Sequence, residues 1–224
     1  MEKLSFYEQV GIVIPGAVFM FGLMFYLPQL KDLFAKDAVT IGGLGLFVLV
    51  AYAAGHILAA VGNILEGIYW KMRGSIPSGW IVGKTPRLLS KVQIKKIHSL
   101  ACVRFQTELD PIENYTSKEW FSIFRQIYSD VEAHGKPQRA EAFNGNYGLN
   151  RGLCAATLAV GVIAALHQPR QWWISLALLA ASLTYLYRMH RFGVHYARET
   201  YSQFLLLPSE PPKTTTPEAK SGND

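Results

Sequence analysis

A run of apolar residues from Val39 to Tyr69, with GLGLFVLVAYAAGHILAAV at its heart, limits what this chain can become. It is long enough to cross the hydrocarbon of a bilayer as one helix, which takes roughly 20 residues. Three more apolar stretches accompany it: Val10–Leu27, Gly152–Leu166 and Trp172–Tyr187. Pro15 falls inside the first, where neighbouring helices can satisfy the carbonyl it frees. The last two count 15 and 16 residues, and Arg151 and Arg188 can extend them by snorkelling. A re-entrant hairpin is the alternative for that pair. The polar turn His167–Arg170 makes them antiparallel neighbours. The leading MEKLSFYEQ carries two acids and one lysine, and no small-residue cleavage site follows, so the first stretch reads as a retained anchor. Aromatic residues (Phe6, Tyr7, Tyr26, Tyr69, Trp70, Trp172, Trp173, Tyr185, Tyr187) mark the ends of the spans, as an interfacial belt would.

The reading is an all-α membrane protein: four transmembrane helices with a helical cytoplasmic insert between spans two and three. Its parts are an N-terminal transmembrane pair (1–70), a basic helical domain (71–150), a C-terminal transmembrane hairpin (151–187), a cytoplasmic helix (188–206) and a tail (207–224). The tail, LPSEPPKTTTPEAKSGND, has the composition of a disordered segment. Charge supports the layout. Only 17% of residues are charged against 50% hydrophobic, and the charge concentrates in the middle. With both termini inside, the outer loops hold Lys31, Lys36 and Arg170, leaving 19 of 22 Lys/Arg on the cytoplasmic side.

Between Lys71 and Arg104 lie eight Lys/Arg and no Asp or Glu. Thr85-Pro86 reads as a helix start, with a threonine cap and proline at the first helical position. On a helix from there Arg87, Lys91, Lys95 and His98 form one stripe, beside an apolar arc of Leu88, Leu89, Val92 and Val103. Lys71, Arg73, Lys84, Arg87, Lys91, Lys95, Lys96 and His98 are the candidate ligands for a polyanion, an oligonucleotide or nucleotide, with Trp70, Trp80 and Phe105 as stacking rings. Anionic membrane lipid is the competing partner, since each basic residue near such a surface contributes about 1 kcal/mol. An acidic protein is a third. A second helix begins near Thr116, where Thr116 and Glu119 read as a capping box and Trp120, Phe124, Ile127 and Val131 give an apolar face.

A second basic stripe, Arg188, Arg191, His195 and Arg198, follows the fourth span on what reads as a helix leaving the bilayer. Deep in the second span, Tyr52, His56 and Asn63 form a polar seam. Ionisable residues at such depth face a bundle interior or a watery cavity, so the seam is a candidate pore lining. Gly55, Ala59 and Gly62, with the alanines of the third and fourth stretches, make surfaces small enough for close helix packing, including between subunits. A homo-oligomer is expected, a tetramer as the working number.

No catalytic constellation is present. Cys102 and Cys154 stand far apart and neither has metal-ligand spacing, so no metal, cofactor or enzyme activity is expected. Gly79–Thr85 has one residue too few between its glycines for a phosphate-binding loop.

The segments FYEQVGIVIPGAVF and YAAGH and the closing R-x-x-R-F-x-x-H-Y-x-R-E resemble bacterial antiphage membrane effectors. The layout is closest to the transmembrane channel subunit of the Hailong defence system, over residues 5–205. That resemblance implies a bacterial inner-membrane location and an oligomeric ion channel kept shut by a nucleic-acid product of a partner nucleotidyltransferase. Its opening would depolarise the cell and arrest growth. A non-channel sensor or scaffold that recruits a cytosolic defence partner is the alternative function.

Overall fold

The computed structural model describes residues 6–30, 41–83 and 86–209. Its α-helices are α1 (Phe6–Met24), α2 (Ile41–Met72), α3 (Lys91–Phe105), α4 (Ser117–His134), α5 (Gln138–His167) and α6 (Trp172–Phe204), with single 3-10 turns at Pro77–Ile81, Ile112–Asn114 and Pro169–Gln171. Among the described residues there is no strand. The all-helical expectation holds.

Two helices, α2 and α5, are long and apolar enough to cross a membrane, and Val10–Met24 of α1 is a shorter apolar segment. Helices α1, α2, α5 and α6 form a bundle: α1 lies against both α2 and α5, and α5 also packs along α6. Small residues set the spacing. A methyl group at Gly16 would overlap the backbone carbonyl of Ala51, and one at Gly55 the carbonyl of Ile12. Gly152 lies under the ring of Pro15. With such contacts the helix backbones touch directly, which suits association where no hydrophobic force drives it. The bundle turns its large apolar side chains outward: Phe21, Leu49, Ile57, Ile64 and Leu183 are all exposed.

Helix α5 takes in FNGNYGLN despite its turn-forming residues. It runs unbroken from Gln138 to His167. The side-chain amides of Asn146 and Asn150 donate one turn back, to the carbonyls of Ala142 (2.8 Å) and Asn146 (2.7 Å), so residues that often make turns here reinforce the helix. Helix α6 is equally continuous and carries the fourth apolar stretch directly into the basic closing segment, as expected.

The helical domain closes over the far end of α6. Trp120, Phe124, Ile127 and Val131 are buried, and Thr116 and Glu119 form the reciprocal cap of α4 read from the sequence. The Trp120 indole donates to the Tyr201 hydroxyl at 2.8 Å, which donates on to the Ser78 carbonyl at 2.6 Å. Burial pushes the Tyr201 phenol up, so it stays protonated as that chain requires. Arg104 is buried too. It pairs with Asp130, and its Nη1 donates to the Pro208 carbonyl at 2.6 Å.

The start of α3 differs from expectation. Residues 86–90 are not helical, and Ser90 is the cap, in a reciprocal box with Gln93. Gly83, at φ 87°, and the bond from the Arg87 amide to the Trp80 carbonyl (3.0 Å) turn the chain before the helix begins. The buried arc of α3 is Ile94, Ile97, Leu100, Ala101 and Arg104; Val92 and Val103 are exposed, contrary to the arc expected from a start at Thr85.

Candidate functional site

Where α3 faces the two 3-10 turns of the domain, an open cleft of about 550 Å³ forms. Lys91 and Lys95, one helical turn apart, and His98 line one wall. Ile81, Ile94 and Ile112 make the apolar floor, and Glu113 stands on the opposite rim. The His98 Nε2 nitrogen bonds the Asp110 carbonyl at 2.9 Å; a carbonyl only accepts, so that nitrogen carries a proton and ties the 110–114 loop to α3. Two ammonium groups above an apolar floor can hold an anion that also offers a flat or aliphatic surface.

The eight expected polyanion ligands divide. Lys91, Lys95 and His98 meet in the cleft. Arg87 sits exposed on the loop before α3, and Lys96 is exposed on the helix. Lys71 and Arg73 lie at and just past the end of α2, where Arg73 covers the Tyr69 ring at 5.5 Å. Lys84, with Thr85, lies outside the described residues. The expected stacking rings are used elsewhere: Trp70 is buried, and Phe105 packs on Phe204. Among the described residues lining the cleft, His98 supplies the one ring.

Trp70 and Trp80 belong instead to a junction between the bundle and the domain. The Trp70 indole donates to the Tyr147 hydroxyl at 2.8 Å. Tyr69 and His190 share a hydrogen bond of 3.0 Å. The His190 ring packs against Trp70 and Trp80, at centroid separations of 5.3 and 5.8 Å. Burial first, and the charge of Arg73 second, hold His190 below the ordinary imidazole range, so it is neutral at pH 7. Trp80 is continuous with cleft residue Ile81, so the cleft wall, the end of α2 and the middle of α6 meet in one packed cluster. The sequence signal for this junction was the density of aromatic residues after the second span, read there as an interfacial belt and as stacking partners.

Two other expectations change. Tyr52, His56 and Asn63 do not face the interior of this bundle: all three are exposed on the outer side of α2. Packing on that helix runs through Gly55 and Leu58, on a neighbouring face, which leaves the seam outside. The rings of Tyr52 and His56 meet edge-on at 4.6 Å. In the second basic stripe, Arg188 donates to the Asn150 Oδ1 at 3.1 Å and covers Phe192, so it braces α6 against α5, while Arg191, His195 and Arg198 lie further along. Sequence reasoning missed the pair of Glu66 and Arg151, 2.5 Å apart, which locks α2 to α5.

No protein-family model, no curated protein and no solved structure matches the chain. Among the described residues no group of His, Cys, Asp and Glu is placed to hold a metal ion.

Proposed function

We propose that this protein is an oligomeric, four-span membrane effector whose cytoplasmic domain holds an oligonucleotide or nucleotide in the α3 cleft, and that ligand occupancy gates an ion conduit in antiphage defence. The observation that carries this reading is the cleft itself. Two lysines and a fixed histidine line a cavity large enough for a nucleotide, on a domain packed against the same helix, α6, that runs through the bundle. The outward seam supports the oligomer. A histidine and an asparagine facing lipid would be costly, and neighbouring copies would cover them and could line a conduit. In this reading both termini and residues 71–150 are cytoplasmic, the membrane is the bacterial inner membrane, and the partners are a homo-oligomer (a tetramer as the working number), membrane lipid and the nucleotidyltransferase that makes the ligand.

The test uses the full chain in detergent and in liposomes. A fluorescein-labelled single-stranded oligonucleotide should bind with an affinity that falls steeply with salt. The double variant K91E/K95E should lose that binding and alter ion flux, and H56L should alter flux with binding intact. Binding unchanged in K91E/K95E would remove the cleft as the ligand site. Ligand binding with no flux in any state would favour the alternative, a membrane sensor or scaffold that recruits a cytosolic defence partner.

A further inference from the structure

The distal half of α6 and the first turns of α5 run side by side beyond the apolar bundle. One side of this hairpin enters the domain core through Ala197, Tyr201 and Phe204. The other side gathers cations from both helices. Arg139 of α5 lies over the Phe143 ring at 5.7 Å, and Phe143 in turn stacks on His195 of α6, with centroids 5.4 Å apart and planes 28° apart. Arg191 and Arg198 flank His195 on its own helix. Burial first, and then the charges of Arg191, Arg198 and Arg139, hold His195 below the ordinary imidazole range. Arg191 stands one turn before His195 on α6 and Arg198 about one turn after it, so both share the helix face that Phe143 and Arg139 meet. Among the described residues one acid pairs with them: Glu199, whose carboxylate is 3.7 Å from Arg139, itself 72% exposed. Three cations against one acid leave an excess of positive charge on a surface with an aromatic platform.

We propose that this face of the α5–α6 hairpin is a second phosphate-binding site, separate from the α3 cleft, in which Arg139, Arg191 and Arg198 hold a phosphate group and the His195 imidazole donates to it. Guanidinium groups suit this chemistry because their planar forks match phosphate oxygens. Arg139 is the element absent from the linear stripe; it comes from α5, more than 50 positions earlier in the chain. Arg188, which the linear stripe includes, is excluded by its bond to Asn150. The phosphate has two sources, a lipid headgroup or a soluble phosphate. At about 1.5 Å per residue, Arg191 stands about 6 Å past Tyr187 and Arg198 about 16 Å, so on the four-span reading the site begins in the headgroup layer and rises above it.

The experiment uses the full chain in detergent with two probes: phosphatidic acid, followed by native mass spectrometry, and inorganic pyrophosphate, followed by calorimetry. The wild type should bind at least one of them. R139Q/R191Q/R198Q should weaken that binding at least tenfold with an unchanged circular dichroism spectrum, whereas K91E/K95E should leave it intact. Binding of the lipid alone assigns the site to a headgroup; binding of both assigns it to phosphate from either source. Lowering the pH adds a proton to His195, which faces Arg139 from α5 and Arg191, Arg198 and Glu199 from its own helix. Binding should therefore tighten as pH falls, and H195Q should blunt that dependence. Failure of both probes to bind, or equal affinity in the triple variant, overturns the proposal. Failure here with oligonucleotide still held in the cleft leaves the functional reading above standing.

Discussion

The bundle and the basic domain of this chain are built on opposite rules. The bundle makes its closest contacts through glycine and alanine, with a few larger residues such as Met20, Leu58 and Val160 buried, and turns Phe21, Leu49, Ile57, Ile64 and Leu183 outward. The domain buries Trp120, Phe124, Ile127 and Tyr201 and keeps Lys91, Lys95, Lys96 and Lys118 on the surface. In water, removing large apolar side chains from solvent is what stabilises a core, at about 25 cal/mol per Å². In lipid that gain vanishes, and helices instead associate through close backbone contact and buried polar pairs. One chain satisfying both rules, in segments that alternate along the sequence, is the strongest structural argument for a protein made to sit in two solvents.

The contrast is most easily broken at Gly16. Gly16→Leu would drive a side chain into the Ala51 backbone and should abolish the folded bundle, beyond the ~1–3 kcal/mol of ordinary overpacking. Gly45→Leu on α2, where an added side-chain carbon meets nothing, is the control. Thermal unfolding in detergent, read by tryptophan fluorescence, should show no transition for the first and a near-normal one for the second.

The domain should break next most easily at its buried ion pair. Arg104→Met leaves Asp130 with only His134 as a side-chain partner and should lower stability, by up to about 3–5 kcal/mol; replacing both Arg104 and Asp130 with apolar residues should recover much of it. Burial alone would raise the Asp130 carboxyl, but the hydrogen bond and charge of Arg104, with His134, outweigh it and hold it below the ordinary carboxylate range. The pair therefore stabilises the fold above the unfolded carboxylate pKa of about 4, and that contribution is lost as pH falls through the depressed folded value. Acid unfolding of the wild type should show this loss; the Arg104→Met profile should be flatter.

The finest comparison sets two exposed residues side by side. Leu49 on α2 is 67% exposed and Val92 on α3 is 77% exposed. If one faces lipid and the other water, Leu49→Arg should reduce membrane insertion by about 2.5–3.5 kcal/mol, while Val92→Lys should change stability by less than about 0.5 kcal/mol. Equal, small effects in a membrane-fraction assay would refute the two-solvent reading.

The sequence disclosed the parts governed by local rules and concealed those governed by packing. The cap of α4 was legible because Thr116 and Glu119 satisfy each other within one turn. The cap of α3 carried the same kind of signal in Ser90 and Gln93, but Thr85-Pro86 stood earlier and looked stronger. The expected arc was anchored on Leu88 and Leu89, which lie on the loop before the helix, and that is why Val92 was placed on its apolar side. The outward turn of His56 was hidden because the side of a helix that packs is chosen by its neighbours; Gly55 fits Ile12, so the adjacent position faces away. The cleft was half legible. Lys91, Ile94, Lys95 and His98 follow from helical spacing, while Ile81, Ile112 and Glu113 come from turns whose approach to α3 no periodicity announces. Arg139 was concealed most fully, since only the pairing of α5 with α6 brings it to His195.

The unbroken course of α6 has a mechanical consequence. From Tyr187 to Phe204 the helix projects about 25 Å at 1.5 Å per residue. It has no proline in that stretch to absorb bending. A tilt of about 10° at the bundle would therefore swing Phe204, and the domain core seated on it, by about 4 Å, taking that projection of about 25 Å as the arm. The same lever works in reverse: a shift of the domain by a few ångströms would be felt among the bundle helices as a small rotation, delivered along α6 and the start of α5 that is packed beside it.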